Sequence, residues 1–186
     1  MKTKLMVFTI LMAMVSLVAC DSAKKAAADE AIKGAQSAYA AVADQATQFV
    51  PDQAKDVQGA IQSAKGSFDK GDYSAALEAA KGLPDKIKAL GAAAAAKKDE
   101  LTAKWNELSS SMPGLVSAVQ TKVDALTKTH KLPTGAADNF ASIKQMWGDA
   151  SSAFQTGKLQ DAMTKAAEAK EKLTQLQATL GMKPGA

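Results

Sequence analysis

The chain contains no arginine; all 23 of its basic residues are lysine. Arginine is the side chain whose planar fork pairs with phosphates and base edges, so its absence argues against nucleic-acid binding. There is one cysteine and one histidine in 186 residues. A lone cysteine cannot close a disulfide within the chain. Zinc sites take three or four ligands and draw chiefly on Cys and His, of which this sequence has one each, so no metal and no cofactor is expected. A Ser–His triad would have to use His130, and no nucleophile-elbow motif accompanies it. No glycine-rich phosphate loop is present, since the glycines are dispersed along the chain. Aromatic residues make up 5% of the chain, and runs of β-branched and aromatic residues that would read as strands are missing.

What the sequence has instead is alanine, lysine, glutamate, glutamine, leucine and methionine, the strong helix formers. Ala92 to Ala96 is an unbroken alanine run. The expected fold class is all-α: a helical bundle built from two tandem three-helix units, an internal duplication, joined by a long connecting helix.

The duplication is read from self-similarity. Val57–Leu77, VQGAIQSAKGSFDKGDYSAAL, aligns without a gap on Ile143–Met163, IKQMWGDASSAFQTGKLQDAM, 86 residues later. Ala54, Val57, Ile61, Ala64 and Phe68 fall on Phe140, Ile143, Trp147, Ala150 and Phe154. Steps of three and four put each set on one helical face. Gly71 matches Gly157 at a turn, where glycine accommodates the left-handed cap of a helix end. Beyond it Tyr73, Leu77, Ala80, Ile87 and Leu90 match Leu159, Met163, Ala166, Leu173 and Leu176. A third helix precedes each hairpin. Ile32, Ala35, Tyr39, Val42 and Ala46 form its stripe in the first half, ending before Pro51. Val116, Val119, Val123 and Leu126 form it in the second, ending before Pro133, at a different offset.

Leu101, Trp105, Leu108 and Met112 continue a stripe between the halves, so the connector is expected to run to about Ser110. Ser109–Ser111 and Pro113 mark the next boundary. Pro84 should kink or break its helix; the second copy has Lys170 there and should run straight. The expected organisation is residues 28–100 for the first unit, 101–180 for the second and 181–186 as a disordered tail.

The first 27 residues read differently. Lys2 and Lys4 precede an uncharged, mostly apolar stretch, Leu5–Ala19, which ends at Cys20. A basic start, an apolar core of about 7–15 residues and small residues at the end describe a signal peptide, expected over residues 1–19. The stretch is shorter than the roughly 20 residues a spanning helix needs. Leu17-Val18-Ala19-Cys20 resembles the lipobox of bacterial lipoproteins, and the Ala-rich remainder is similar to helical envelope lipoproteins. The resemblance implies cleavage before Cys20, a thioether-linked diacylglycerol on Cys20 and further acylation of the new amino terminus. Several acyl chains on one residue anchor stably where one does so only marginally. Residues 20–27 are then a lipidated tether. Asp21 resembles the enterobacterial signal for retention in the inner membrane, which favours the periplasmic face of that membrane over the outer membrane. Loss of Lys2 and Lys4 lowers the formal charge from +4 to +2.

The remaining residues of interest have plain structural explanations. His130, in KTHKLP, caps the end of a helix, where a cation suits the dipole. Trp105 and Trp147 lie on apolar stripes and should pack in the core. Lys24 and Lys25 lie near the anchor, where each could add about 1 kcal/mol against an anionic leaflet. The carboxylates fall mostly off the apolar stripes and read as a solvated face. GDYSAAL resembles the hairpin of tetratricopeptide-like repeats, without their 34-residue period or Trp-Leu-Gly element. The expected function is that of a non-catalytic, membrane-anchored envelope lipoprotein with a protein partner. The alternative is a small-ligand or lipid-binding helical module.

Overall fold

The structure, a computed structural model, describes the backbone of residues 2–183 and the side chains of residues 21–183. The expected signal peptide, the Cys20 side chain and residues 184–186 of the tail lie outside the described side chains. The fold is all-α. The helices are α1 (Lys2–Phe49), α2 (Pro51–Asp69), α3 (Tyr73–Lys81), α4 (Leu83–Lys128), α5 (Ala136–Gln155) and α6 (Leu159–Thr179). The chain divides into two compact units, Met1–Ala96 and Lys97–Ala186, so the division falls inside α4.

In the first unit α1, α2 and α3 pack on one another. Val50 alone joins α1 to α2, with Pro51 at the first helical turn, where its missing N–H costs nothing. The tight joint makes α1 and α2 antiparallel neighbours. Their register is fixed where the Tyr39 hydroxyl donates to the Ala54 carbonyl at 3.2 Å. Eight of the fifteen apolar residues buried between Ala28 and Ala94 are alanine, which lets helix backbones approach closely. Gly91 on α4 goes further: a Cβ there would lie 3.2 Å from Val42 Cγ1 on α1.

In the second unit α5 packs along α6. Met112, Val119 and Val123 of α4, Phe140 and Ile143 of α5, and Leu173 and Leu176 of α6 share one buried cluster. The core of this unit carries larger side chains than that of the first.

The hairpins repeat at constant offset in burial as well as in sequence. Ala54, Val57, Ala64, Ala76, Ala80, Leu83, Ile87, Leu90 and Ala94 are buried, and so is each residue 86 positions later. The preceding helices also match, at an offset of 77: Ala28, Ala35 and Ala46 are buried, as are Trp105, Met112 and Val123. The nine-residue difference lies between Leu126 and Ala136. There the second copy has a turn and a loop in place of the single residue Val50.

Two expectations are corrected and one open point is decided. Ser109–Ser111 and Pro113 do not end a helix, because α4 runs through them to Lys128. Ser109 and Ser110 donate to the Asn106 carbonyl, and Ser111 to that of Glu107. Their hydroxyls thus bond back into the helix, and the turns on either side bury Trp105, Met112 and Val119. Pro113 removes one ladder bond without ending the run. At Pro84, where a kink or a break was expected, the chain breaks: α3 stops at Lys81, Gly82 turns, and Pro84 sits in the first turn of α4. The break is a single residue and keeps the helical register, which is why Leu83 and Ile87 stay on the buried face that uninterrupted α6 presents through Ala169 and Leu173. Lastly, the tail is ordered through Met182. Gly181, at φ +69°, and Met182 cap α6, with N–H bonds to Ala178 (3.1 Å) and Gln177 (2.8 Å), and Met182 packs on the core.

That cap is a Schellman motif, in which the two residues past a helix end donate back across the last turn. The same pattern ends α2 at Gly71, α5 at Gly157 and α4 at His130.

Candidate functional site

The sequence directs attention to the Cys20 end of α1. Residues 21–27 are helical and exposed, and burial begins at Ala28. The expected tether is thus two turns of helix continuous with the body of the unit. Asp21, the expected sorting residue, is exposed at its start.

Antiparallel pairing brings the far end of the first hairpin to this place. Tyr39 pairs with Ala54, so the α2–α3 turn lies opposite residues near 25. Lys25 Nζ stands 5.7 Å from the centre of the Tyr73 ring, within cation–π range. Phe68 meets the same ring edge-on, centroids 5.2 Å apart. Asp72 caps α3, accepting from the Ala75 N–H at 3.0 Å. Lys65 pairs with Asp69 at 2.7 Å. Phe68 and Tyr73 are both half-buried. The sequence marked them only as stripe residues; adding residue numbers across the one-residue joint at Val50 would have found them beside Lys25.

The other singled-out residues lie in the second unit. Trp105 stacks on Trp147, centroids 5.4 Å apart and planes 11° from parallel. It stacks equally on Phe154, at 4.5 Å and 8°. Trp147 and Phe154 are two helical turns apart, about 10.5 Å, so the Trp105 ring fills the gap between them. The tryptophans are core residues, with Trp105 buried and Trp147 half-buried. The first copy has Ala28, Ile61 and Phe68 at the equivalent positions.

His130 is exposed, with φ +55°. It takes the left-handed place that glycine holds at three other helix ends. Its N–H donates to the Thr127 carbonyl at 3.1 Å and that of Lys131 to Leu126 at 2.9 Å. It acts as a backbone cap of α4.

A groove of about 270 Å³ runs between α5 and α6. Ile143 and Leu176 line its floor, and Asn139, Ser142, Lys172, Gln175 and Thr179 its walls. Glu100 on α4 accepts from Lys104 at 2.6 Å and from Lys97 at 2.9 Å. These hydrogen bonds, the Lys104 bond foremost, lower its pKa to about 2. Among the described residues no three His, Cys, Asp or Glu side chains are grouped to hold a metal ion. Among them too, no helix is long and apolar enough to cross a membrane.

Comparison of the chain with protein-family models, with curated proteins and with solved structures finds no match.

Proposed function

We propose that the protein is a lipid-anchored envelope lipoprotein, held at a membrane by acyl chains on Cys20, whose two helical units serve as a non-catalytic structural or protein-binding module. The observation that carries this reading is Leu17-Val18-Ala19-Cys20 at the foot of an apolar run with a lysine start. It is supported by the position of Cys20, one residue ahead of an exposed helical segment that leads straight into a buried core. Asp21 favours the inner membrane and the periplasmic face.

The ligand-binding alternative draws no comparable support. Small-molecule sites enclose roughly 300–1,000 Å³ with mainly apolar linings. The α5–α6 groove is smaller, and five of its seven lining residues are polar.

Fractionation of wild type beside Cys20→Ala, with intact mass, tests the proposal. The expected result is wild type in the membrane fraction at the mass of residues 20–186 plus acyl groups, and a variant that fails to mature. Wild type retaining residues 1–19 without lipid would overturn it.

A further inference from the structure

We infer that the α2–α3 turn, with Phe68 and Tyr73 at its shoulders, is a docking surface for the headgroup layer of the bilayer that holds the Cys20 acyl chains. The inference rests on the lipid-anchor reading and adds to it which face of the first unit meets the membrane.

Three observations converge. The first is distance. Residues 21–27 are helical, so Cys20 and Lys25 are separated by about 7.5 Å along the axis. Lys25 Nζ in turn stands 5.7 Å from the Tyr73 ring. A residue whose acyl chains enter the bilayer therefore keeps Tyr73 at the end of the unit that faces the headgroups. A flexible tether would let the body tumble away; a helix fixed by the Lys25–Tyr73 contact and by buried Ala28 and Ile32 does not.

The second is chemistry. Tyrosine offers an apolar ring with a polar tip, the combination enriched at membrane–water boundaries. Lysine can lay its stem on apolar surface and keep its ammonium among headgroups. Here a tyrosine, a lysine and a phenylalanine are clustered at the end of the unit nearest the anchor, and both rings keep part of their surface exposed. The equivalent turn of the second copy has Leu159 in place of Tyr73, and Leu159 is buried. The aromatic pair belongs only to the copy that carries the anchor.

The third is charge. Asp21, Lys24, Lys25, Lys65, Asp69, Lys70 and Asp72 are all exposed at this end, four cations and three anions. With so small an excess of positive charge, docking should owe little to anionic lipid and be nearly the same on zwitterionic vesicles.

The test uses the lipidated full chain. Once Cys20 carries its thioether lipid, a cysteine introduced elsewhere is the only free thiol. Lys70→Cys places an environment-sensitive fluorophore on the turn. Lys55→Cys places it on the same helix about 22 Å away. Ser74→Cys is a second probe of the turn, should the cap at Lys70 be disturbed. Each protein is reconstituted in phosphatidylcholine vesicles containing a headgroup nitroxide lipid, and flotation and intact mass are read first. The expected result is quenching at 70 and 74 at least threefold stronger than at 55, unchanged when a fifth of the lipid is anionic. Equal quenching at all positions, stronger quenching at 55, or no quenching in protein that floats would overturn the docking surface while leaving the anchor intact. Protein that carries no lipid and does not float would overturn the anchor, and the docking surface with it.

Discussion

Lys158 stands where Asp72 stands in the first copy, 86 residues earlier, and the two backbones are nearly the same there. Asp72 has φ −85° and ψ 75°, and Lys158 has φ −84° and ψ 63°. Asp72 accepts from the N–H of Ala75; Lys158 supplies no side-chain cap to α6. Lys158→Asp should therefore graft a working cap, directed at the N–H of Asp161. A capping carboxylate is worth about 1 kcal/mol over a residue that cannot cap. Exchanging a cation for an anion beside the positive end of the helix dipole adds about 0.3–1 kcal/mol. The pair with Asp161 changes from attractive to repulsive and takes back about 0.4–1 kcal/mol. The net gain is about 1 kcal/mol. With a urea m-value of about 1–3 kcal/mol/M for a small domain, the midpoint should rise by roughly 0.3–1 M at constant slope. Equilibrium urea unfolding by circular dichroism and by tryptophan emission reads this, since Trp105 and Trp147 both report on the second unit. Asp72→Lys, the reciprocal change, should lose a similar amount in the first unit. An unchanged or lower midpoint for Lys158→Asp, with Asp72→Lys harmless, would refute the claim that the two turns are structurally equivalent.

His130→Gly should stabilise the second unit by about 0.5–1 kcal/mol. It relieves a left-handed penalty of about 1–2 kcal/mol and gives back part of that in unfolded-chain entropy; thermal unfolding checks it. Trp105→Ala should cost about 3–5 kcal/mol, and Trp105→Phe much less, because an aromatic ring must fill the gap between Trp147 and Phe154; near-ultraviolet circular dichroism should lose intensity in the alanine variant. Glu100 should titrate near 2 by carbon-detected NMR, and Lys104→Ala should move it back toward the ordinary value near 4.3. Because its folded-state pKa is depressed, whatever it adds to stability is present above about pH 4.3 and lost as pH falls through 2. Glu100→Gln at pH 7 should barely shift the melting temperature, since the three charges are solvent-exposed.

The apolar stripes and the repeat were legible in the sequence because a helical face writes itself at steps of three and four. Ala54, Val57, Ile143 and Leu173 were named from spacing and are buried. Helix ends were legible where glycine marks them, at Gly71 and Gly157. At Lys128 the chain uses His130 for the same geometry, and the sequence signal is weak because histidine rarely adopts positive φ. Ser109–Ser111 and Pro113 misled for the opposite reason. Local preference speaks for a boundary there, and burial of Trp105, Met112 and Val119 on one continuous face outweighs it. The Trp105 stack was invisible as a stack, since it depends on how α4 faces α5. So was the approach of Lys25 to Tyr73, which depends on a one-residue joint making α1 and α2 antiparallel.

The break at Gly82 sets the cooperativity of the two copies apart. In the second copy Leu159 to Thr179 is one helix, so its turns are lost or kept together. In the first, the matching residues form nine-residue α3 and the start of α4, with Gly82 at a φ of −86° and no left-handed lock between them. A helix that short holds little structure without its neighbours. Amide hydrogens of Leu77 to Lys81 should therefore exchange through a local opening that leaves α4 intact, while those of their counterparts on α6, Met163 to Ala167, exchange only when the whole helix opens.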